Sequence, residues 1–267
     1  MRDGNYERNR ENSICWNLTF KCNDKCSFCF VNLNSCAELS LDENWKVFKR
    51  LISRHNIQKI SFSGGDPLLY PHIFDLAKKI KSNSDISLSL VSNAIKLDDE
   101  ALKQVAKYFN CISFSVDAVG DDLEHKAGRN KNHYSRINSV LKKIESRPDL
   151  KELNVKINSM VSAMNRENIS DVYEAVINRY NCIKRWKIFR FSPLRGMGEK
   201  NAALFNISDD EWDCVKRQII TNVQNETARQ IEFTGKDIDD YLILDPDGTL
   251  KISNFESDRV IDNLLEK

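Results

Sequence analysis

Six apolar runs alternate with amphipathic stretches along most of this chain, and no other feature restricts its fold as much. ICWNLTF (14–20), KISFS (59–63), ISLSLVS (86–92), CISFSVD (111–117), LNVKINSMV (153–161) and RWKIFRF (185–191) carry the β-branched and aromatic residues that fill strands. Between the first two, Leu41, Trp45, Phe48 and Ile52 recur at helical spacing behind a Ser40–Glu43 capping box. Further helices are expected near 71–82, from Asp99 to Phe109, from Tyr134 to Glu145, near 168–179, and after a second capping box, Ser208 with Glu211. Strand followed by helix, repeated, predicts βαβ units in a parallel sheet. Residues 118–133 and 193–207 read as loops, and DYLILDPDGTLKIS as a β-hairpin around an Asp-Pro-Asp-Gly turn. At 267 residues and 41% hydrophobic content the chain has the material for one full core. The expected architecture is α/β: a partial six-stranded parallel β/α (TIM-like) barrel over about 13–220, with a C-terminal hairpin extension over about 221–267. Residues 1–267 then form a single domain.

Where the first strand ends, KCNDKCSFCF sets Cys22, Cys26 and Cys29 at a C-x3-C-x2-C spacing, at the strand end where such barrels keep their chemistry. Three thiolates this close converge on one metal centre. A [4Fe-4S] cube usually takes four cysteines, so three leave one iron with an open position, as in a catalytic zinc site. Disulfides need an oxidising compartment and a geometry that a tight loop rarely offers. Zinc prefers four closed ligands, and neither a second C-x2-C pair nor an H-x3-5-H pattern occurs. Cys15, in an apolar run, and Cys36, beyond the loop, are the nearest candidates for a fourth ligand. At the end of the second strand, Gly64-Gly65-Asp66-Pro67 forms a turn whose glycines let backbone approach a ligand without a Cβ between them.

Strand parity adds a charge pattern. Lys59, Ser61 and Ser63 share one face, as do Asn154, Lys156 and Asn158, and Arg185, Lys187 and Phe189. The opposite faces carry Ile60, Phe62, Val155, Ile157, Trp186 and Ile188, which suit the layer packed under helices. The cationic faces then line the barrel, where four cations repel one another unless an anion joins them. The alternatives are that these cations snorkel to water from strand ends or pair with acids. Net charge is only +1, so no global field draws the chain to nucleic acid or an anionic membrane. MRDGNYERNRENS lacks the apolar core of a signal peptide, and no later run approaches a bilayer span, so a cytoplasmic protein is expected, without membrane or nucleic-acid partners.

The cysteine spacing, with Phe28 just before Cys29, resembles the signature of radical S-adenosylmethionine enzymes. That resemblance implies one [4Fe-4S] cluster whose open iron chelates the amino and carboxylate groups of S-adenosylmethionine. Gly64-Gly65-Asp66-Pro67 resembles the Gly-Gly-Glu-Pro motif that holds the cofactor's amino group, with Asp66 in place of glutamate, and Ser115 and Asp117 look like the ribose-binding polar pair. A strand end meeting water is the competing reading of the latter. Taken in order, KCNDKCSFCF, KISFSGGDPLL, SLVSN, GRNKNH, VKINS, RWKIF and DYLILD resemble the viperin family across nearly the whole chain. By that resemblance Ser92 and Asn93 join the cofactor contacts. Lys59, Arg129, Lys156, Asn158, Arg185, Lys187 and Tyr241 match substrate contacts, with Lys156 and Tyr241 the catalytic candidates. Tyr241 has a competing role as packing area. The implied reaction takes hydrogen from C4′ of a ribonucleoside triphosphate with a 5′-deoxyadenosyl radical, and the 3′-hydroxyl leaves as water. A low-potential donor such as flavodoxin or ferredoxin is the implied electron source. The membrane-binding N-terminal helix of the family's vertebrate members and the family's usual C-terminal tail have no counterpart here, so the resemblance is to a compact prokaryotic-type member. The main alternative is a radical maturase acting on a peptide or protein. Cys111, Cys182 and Cys214 are too widely spaced to suggest the second cluster that such enzymes often carry.

Overall fold

The computed structural model describes residues 12–31, 38–223, 230–235, 241–253 and 257–266. Its first half follows the expected alternation: β1 (Ser13–Thr19), α1 (Leu41–Arg54), β2 (Lys59–Gly64), α2 (Ile73–Asn83), β3 (Ser87–Val91), α3 (Asp99–Tyr108) and β4 (Cys111–Ser115). Then come α4 (Asp121–Lys126), α5 (His133–Ser146), β5 (Asn154–Val161), β6 (Ile183–Arg190), α6 (Gly196–Lys200), α7 (Ala202–Phe205) and α8 (Asp209–Val223). Four strands close the chain: β7 (Gln230–Thr234), β8 (Tyr241–Leu244), β9 (Thr249–Ser253) and β10 (Asp258–Asn263). Both capping boxes form: Ser40 accepts from the Glu43 N–H at 3.3 Å, and Glu211 accepts from the Ser208 N–H at 2.7 Å.

The two expected loops contain short helices, α4 in one and α6 with α7 in the other. The helix expected near 168–179 is instead a wider, π-type turn over Tyr173–Ile177, where the Asn178 N–H reaches the Tyr173 carbonyl at 2.7 Å. Val172, Tyr173, Val176 and Ile177 are all buried there. The wider turn keeps these bulky side chains on the sheet side.

All ten strands form one sheet, in the order β10-β9-β8-β1-β2-β3-β4-β5-β6-β7. From β8 to β7 the neighbours run parallel, while β9 and β10 are antiparallel additions. The six strands expected from sequence are present. They are extended to eight parallel strands by β7, which was not foreseen, and by β8. The terminal hairpin is therefore no appendage: its first strand pairs with β1, Ile14 opposite Leu242. Lys187 of β6 also reaches Tyr241 of β8 at 2.9 Å, so the sheet curls until strands near its two parallel edges touch.

The outward residues Trp16, Ile60, Phe62, Leu88, Leu90, Ile112, Phe114, Val155, Ile157, Trp186 and Ile188 are completely enclosed. Phe48, Leu51, Leu76, Ile80, Val105 and Ile144 from the helices pack over them in one continuous core. Burial of this much apolar surface is the main stabilising term. The inward parity therefore holds polar residues, Lys156, Arg185 and Lys187 among them; Lys59 stands exposed at the start of β2, and Arg185 and Lys187 pair with the acid Glu232, as the alternative reading of these cations expects. Among the described residues, no helix is long and apolar enough to cross a membrane.

Candidate active site

The cysteine loop leaves the C-terminal end of β1, and three neighbouring segments hold it. The Ser27 N–H donates to the Gly128 carbonyl at 3.0 Å, the Gly198 N–H to the Cys29 carbonyl at 3.0 Å, and Asn201 Nδ2 to the Ser27 carbonyl at 2.7 Å. Gly128 has φ +103°, and a Cβ there would lie 2.5 Å from Ser27 Oγ, so this close approach requires glycine. The sulfurs receive N–H donors: the Asp24 amide to Cys22 Sγ at 3.4 Å, Asn93 Nδ2 to Cys22 Sγ at 3.7 Å and Arg129 Nη1 to Cys26 Sγ at 3.6 Å. The Arg129 guanidinium also stacks 4.6 Å from the Phe28 ring.

Burial pushes all three thiols up, Cys26 to about 12, although Arg129 opposes the shift at Cys26 and Cys29. Thiolates at such positions need a cationic group to hold them. Among the described residues no three Cys, His, Asp or Glu side chains converge as a single ion requires. A cubane spreads its cysteines further apart than an ion does, and with N–H donors already aimed at two sulfurs this donor set fits a cluster. Cys15, the candidate fourth ligand on β1, faces the barrel beside Ser61 and Ile243, below the loop. Cys36 lies outside the described residues.

The Gly64-Gly65 turn serves the loop in a way the sequence did not reveal. A Cβ on Gly64 would sit 2.1 Å from the Thr19 carbonyl oxygen and one on Gly65 2.0 Å from that of Lys21. The bare backbone instead forms two hydrogen bonds: Gly65 N–H to Thr19 O at 2.8 Å and Asp66 N–H to Lys21 O at 2.9 Å. The glycines thus admit the chain's own backbone at the entry to the cysteine loop. Gly65→Ala should cost about 1–3 kcal/mol of stability and lower iron incorporation, read from urea unfolding midpoints and iron content. An unchanged midpoint would show that this contact yields freely.

Two carboxylates expected at the cofactor face are turned inward. Asp66, fully buried, accepts from the Leu68 N–H at 3.0 Å, from Ser92 Oγ at 2.9 Å and from the Asn93 N–H at 2.9 Å. Burial raises its pKa and these donors oppose that shift. Ser92 is thereby spent on Asp66, while Asn93 continues to Asn23 at 2.8 Å and to Cys22. Asp117, also fully buried, accepts from Arg129 Nε at 2.7 Å and from the Met160 N–H at 2.7 Å. Ser115 remains on the inward face, half-buried, opposite Asn158. Arg129, expected among the triphosphate contacts, is held by Asp117 and Cys26 beside the cluster loop because those partners neutralise it there.

Inside the barrel, Lys156 sits opposite Ser113 and Arg185, and Asn158 opposite Ser115 and Lys187. Burial first, then repulsion from Arg185, brings the Lys156 ammonium down to about 8. Arg185 and Lys187 both meet Glu232 of β7, the latter at 3.4 Å. Lys187 also donates to the Tyr241 hydroxyl and lies 5.2 Å from that ring. Lys59 stands exposed at the start of β2. Asn158 Oδ1 is buried without a hydrogen-bond partner, an acceptor still to be satisfied. Glu232 was missed from sequence, yet Ile231, Glu232, Phe233 and Thr234 alternate as an inward-outward strand does.

A parallel β/α barrel with a half-buried triple-cysteine loop above a cation-lined interior defines a barrel-type iron–sulfur enzyme. The model of the radical SAM superfamily matches residues 16–176, and the chain belongs to that superfamily. It is therefore a radical enzyme that works with a [4Fe-4S] cluster and S-adenosylmethionine. Flammeovirga pacifica has an S-adenosylmethionine-dependent nucleotide dehydratase that is 26% identical over 247 residues, spanning 88% of this chain and 80% of that protein. The S-adenosylmethionine-dependent nucleotide dehydratase RSAD2 of Oncorhynchus mykiss is 27% identical, spanning 87% and 67%. Among solved structures, anSMEcpe with bound AdoMet and a peptide superposes with a TM-score of 0.72 at 16% identity, covering 96% of this chain and 78% of that one. Streptococcus suis SuiB bound to precursor peptide SuiA gives 0.71 at 15% identity, and the match spans 90% of this chain but 58% of SuiB.

Proposed function

We propose that this chain is a nucleotide dehydratase, converting a ribonucleoside triphosphate to its 3′-deoxy-3′,4′-didehydro analogue. The observation that carries this reading is the barrel interior, where Lys156 and Arg185 lie opposite one another and Arg185 and Lys187 share one carboxylate, Glu232. Such an interior is a receptor for a multiply charged anion. The names of the relatives point to the same substrate class. Cys22, Cys26 and Cys29 hold the cluster, which with S-adenosylmethionine supplies hydrogen-atom abstraction when both are bound. Lys156, Arg185 and Lys187 bind the phosphates, and Asn158 offers its free Oδ1 to a donor on the substrate. The Tyr241 hydroxyl, held by Lys187 at 2.9 Å, donates a proton as the 3′-hydroxyl departs. We read residues 1–267 as one domain, a reading supported by β7 and β8 taking places in the parallel sheet. A low-potential flavodoxin or ferredoxin feeds the cluster, and the cytoplasm keeps its thiols reduced.

Anaerobic turnover with each of the four nucleoside triphosphates tests the reading: one or more should stimulate 5′-deoxyadenosine formation and yield a dehydrated nucleotide. Stimulation by none of them would overturn it. Tyr241→Phe keeps the ring and removes the hydroxyl. A positioned proton donor is typically worth about 10²- to 10⁴-fold, so nucleotide product should fall that far while 5′-deoxyadenosine persists. If both match the parent, Tyr241 serves packing and Lys187 alone.

A further inference from the structure

We infer that Glu124 and His133, buried behind Arg129, together take up one proton when the cluster on Cys22, Cys26 and Cys29 gains an electron, and so set the potential at which it is reduced. Both act through the Arg129 guanidinium. This inference rests on the radical-enzyme assignment and not on the nucleotide reading.

Buried polar groups ordinarily find partners, and unsatisfied ones point to strain, water, or proton and redox chemistry. Behind the cysteine loop such atoms gather: Glu124 Oε2, both ring nitrogens of His133, Asp24 Oδ2 and Arg136 Nη2 are enclosed without a hydrogen-bond partner. Glu124, on α4, and His133, at the start of α5, are completely buried. Nδ1 of the imidazole lies 3.6 Å from Oε2 of the carboxyl. The other carboxyl oxygen accepts from the Asp117 N–H at 2.8 Å. Glu124 Oε2 is 4.0 Å from Arg129 Nε, and Arg129 Nη1 is 3.6 Å from Cys26 Sγ. A charge on Glu124 is thus one guanidinium removed from a cluster ligand.

The surroundings hold one carboxylate more than their cations match. Asp117 after β4, Arg129 between α4 and α5, Arg136 on α5 and Asp24 in the cysteine loop all act on the pair. Asp121 and Tyr134 act on Glu124 from α4 and α5, and Asp121 accepts from the Ser135 N–H at 3.0 Å. Arg129 is taken by Asp117 at 2.7 Å and Arg136 faces Asp24 at 4.0 Å, which leaves Glu124 without a cation of its own. Burial, opposed chiefly by Arg129, raises the Glu124 carboxyl to about 7. Burial, reinforced by Arg129, brings the His133 imidazole down to about 3. Around neutral pH the imidazole is therefore uncharged and the labile proton belongs to the carboxyl. With that proton the Glu124 O–H points at Nδ1; without it the Nδ1–H points at the carboxylate, so a change of tautomer serves both states. A negative charge added at the cluster favours the protonated carboxyl. The step balances: the cluster gains one electron from an external reductant, Glu124 gains one proton from solvent, and the charge of the buried region is unchanged.

Dithionite titration of the cluster-loaded protein, followed by electron paramagnetic resonance from about pH 6 to about pH 9 without S-adenosylmethionine or nucleotide, is the test. The midpoint potential should fall as pH rises, by up to about 59 mV for each tenfold change in proton activity, the limit for one proton per electron. Glu124→Gln copies the protonated carboxyl and cannot titrate, so it should hold the parent's low-pH midpoint at every pH, with the parent's iron content. In the redox-induced infrared difference spectrum of the parent, a protonated-carboxyl band should grow on reduction and shift in deuterium oxide. That band decides the outcome where the variant fails to load iron. A parent midpoint flat with pH would overturn the inference, as would the absence of the band. An equal slope in Glu124→Gln would overturn it too, by moving the proton to Asp117 or Asp24. A pair that served the fold alone would change iron content or stability and leave the slope as it is in the parent.

Discussion

Cys26→Ala should abolish 5′-deoxyadenosine formation and drop bound iron from about four atoms per chain to below about one after anaerobic reconstitution. Cys26 is the most enclosed of the three proposed cluster ligands: burial pushes its thiol up to about 12, and Arg129 Nη1 lies 3.6 Å from its sulfur. Removing the sulfur removes a ligand and leaves the guanidinium with one anionic partner fewer, while Asp117 still holds Nε at 2.7 Å. The fold should survive, because the loop's contacts to Gly128, Gly198 and Asn201 run through backbone carbonyls and amides of other residues. Cys22→Ala and Cys29→Ala should behave alike. Cys214→Ala, on the exposed side of α8, should match the parent in iron and activity. Eight irons per chain in the parent would show that a second cluster exists and revive a maturase reading.

Lys156→Met should weaken triphosphate binding by about 2–5 kcal/mol, about 30-fold to several thousand-fold, while barely altering nucleoside binding. The same substitution should raise the stability of the free protein by about 1 kcal/mol or more, because a buried ammonium pushed down to about 8 beside Arg185 is a liability until an anion arrives. A structural lysine would give the opposite pair of results: lower stability and equal losses for nucleoside and triphosphate. The pH dependence follows from the same side chain. Folding lowers its pKa from 10.5 to about 8, so the unfolded chain keeps this proton longer and stability contributed by the group rises as pH goes from 8 toward 10.5. A bound triphosphate holds the proton on, so affinity should be level below about pH 7 and fall above 8, read by calorimetry across that window. Affinity independent of pH from 7 to 9.5 would remove Lys156 from the phosphate site.

Much of this was readable because parity and periodicity act locally. Ile60, Phe62, Val155, Trp186 and Ile188 alternate with Ser61, Lys156, Arg185 and Lys187, and the alternation alone separates the helix-covered face from the barrel interior. Ser40–Glu43 and Ser208–Glu211 announce helix starts within four residues of sequence. The rest depends on partners that only the fold brings together. Asp66 looks like a cofactor ligand until Ser92 and the Asn93 amide, 26 and 27 residues on, close around it. Arg129 looks like a free phosphate binder, yet one of its partners is a sulfur 103 residues earlier. Glu232 neutralises Arg185 across 47 residues, through parallel pairing of β6 with a strand that its five-residue run hardly signals.

Among the described residues the hydrogen-bonded ladder runs from β8 round to β7, and no ladder pairs those two strands with each other. Across that seam the described link is made by side chains, with Lys187 reaching both Glu232 on one margin and Tyr241 on the other. A barrel stitched in this way can widen by parting a lysine from a phenol, whereas a closed barrel would have to break backbone ladder bonds along a whole strand. Lys187 and Tyr241, proposed to hold the substrate, are thus also the fastening between the two margins of the barrel.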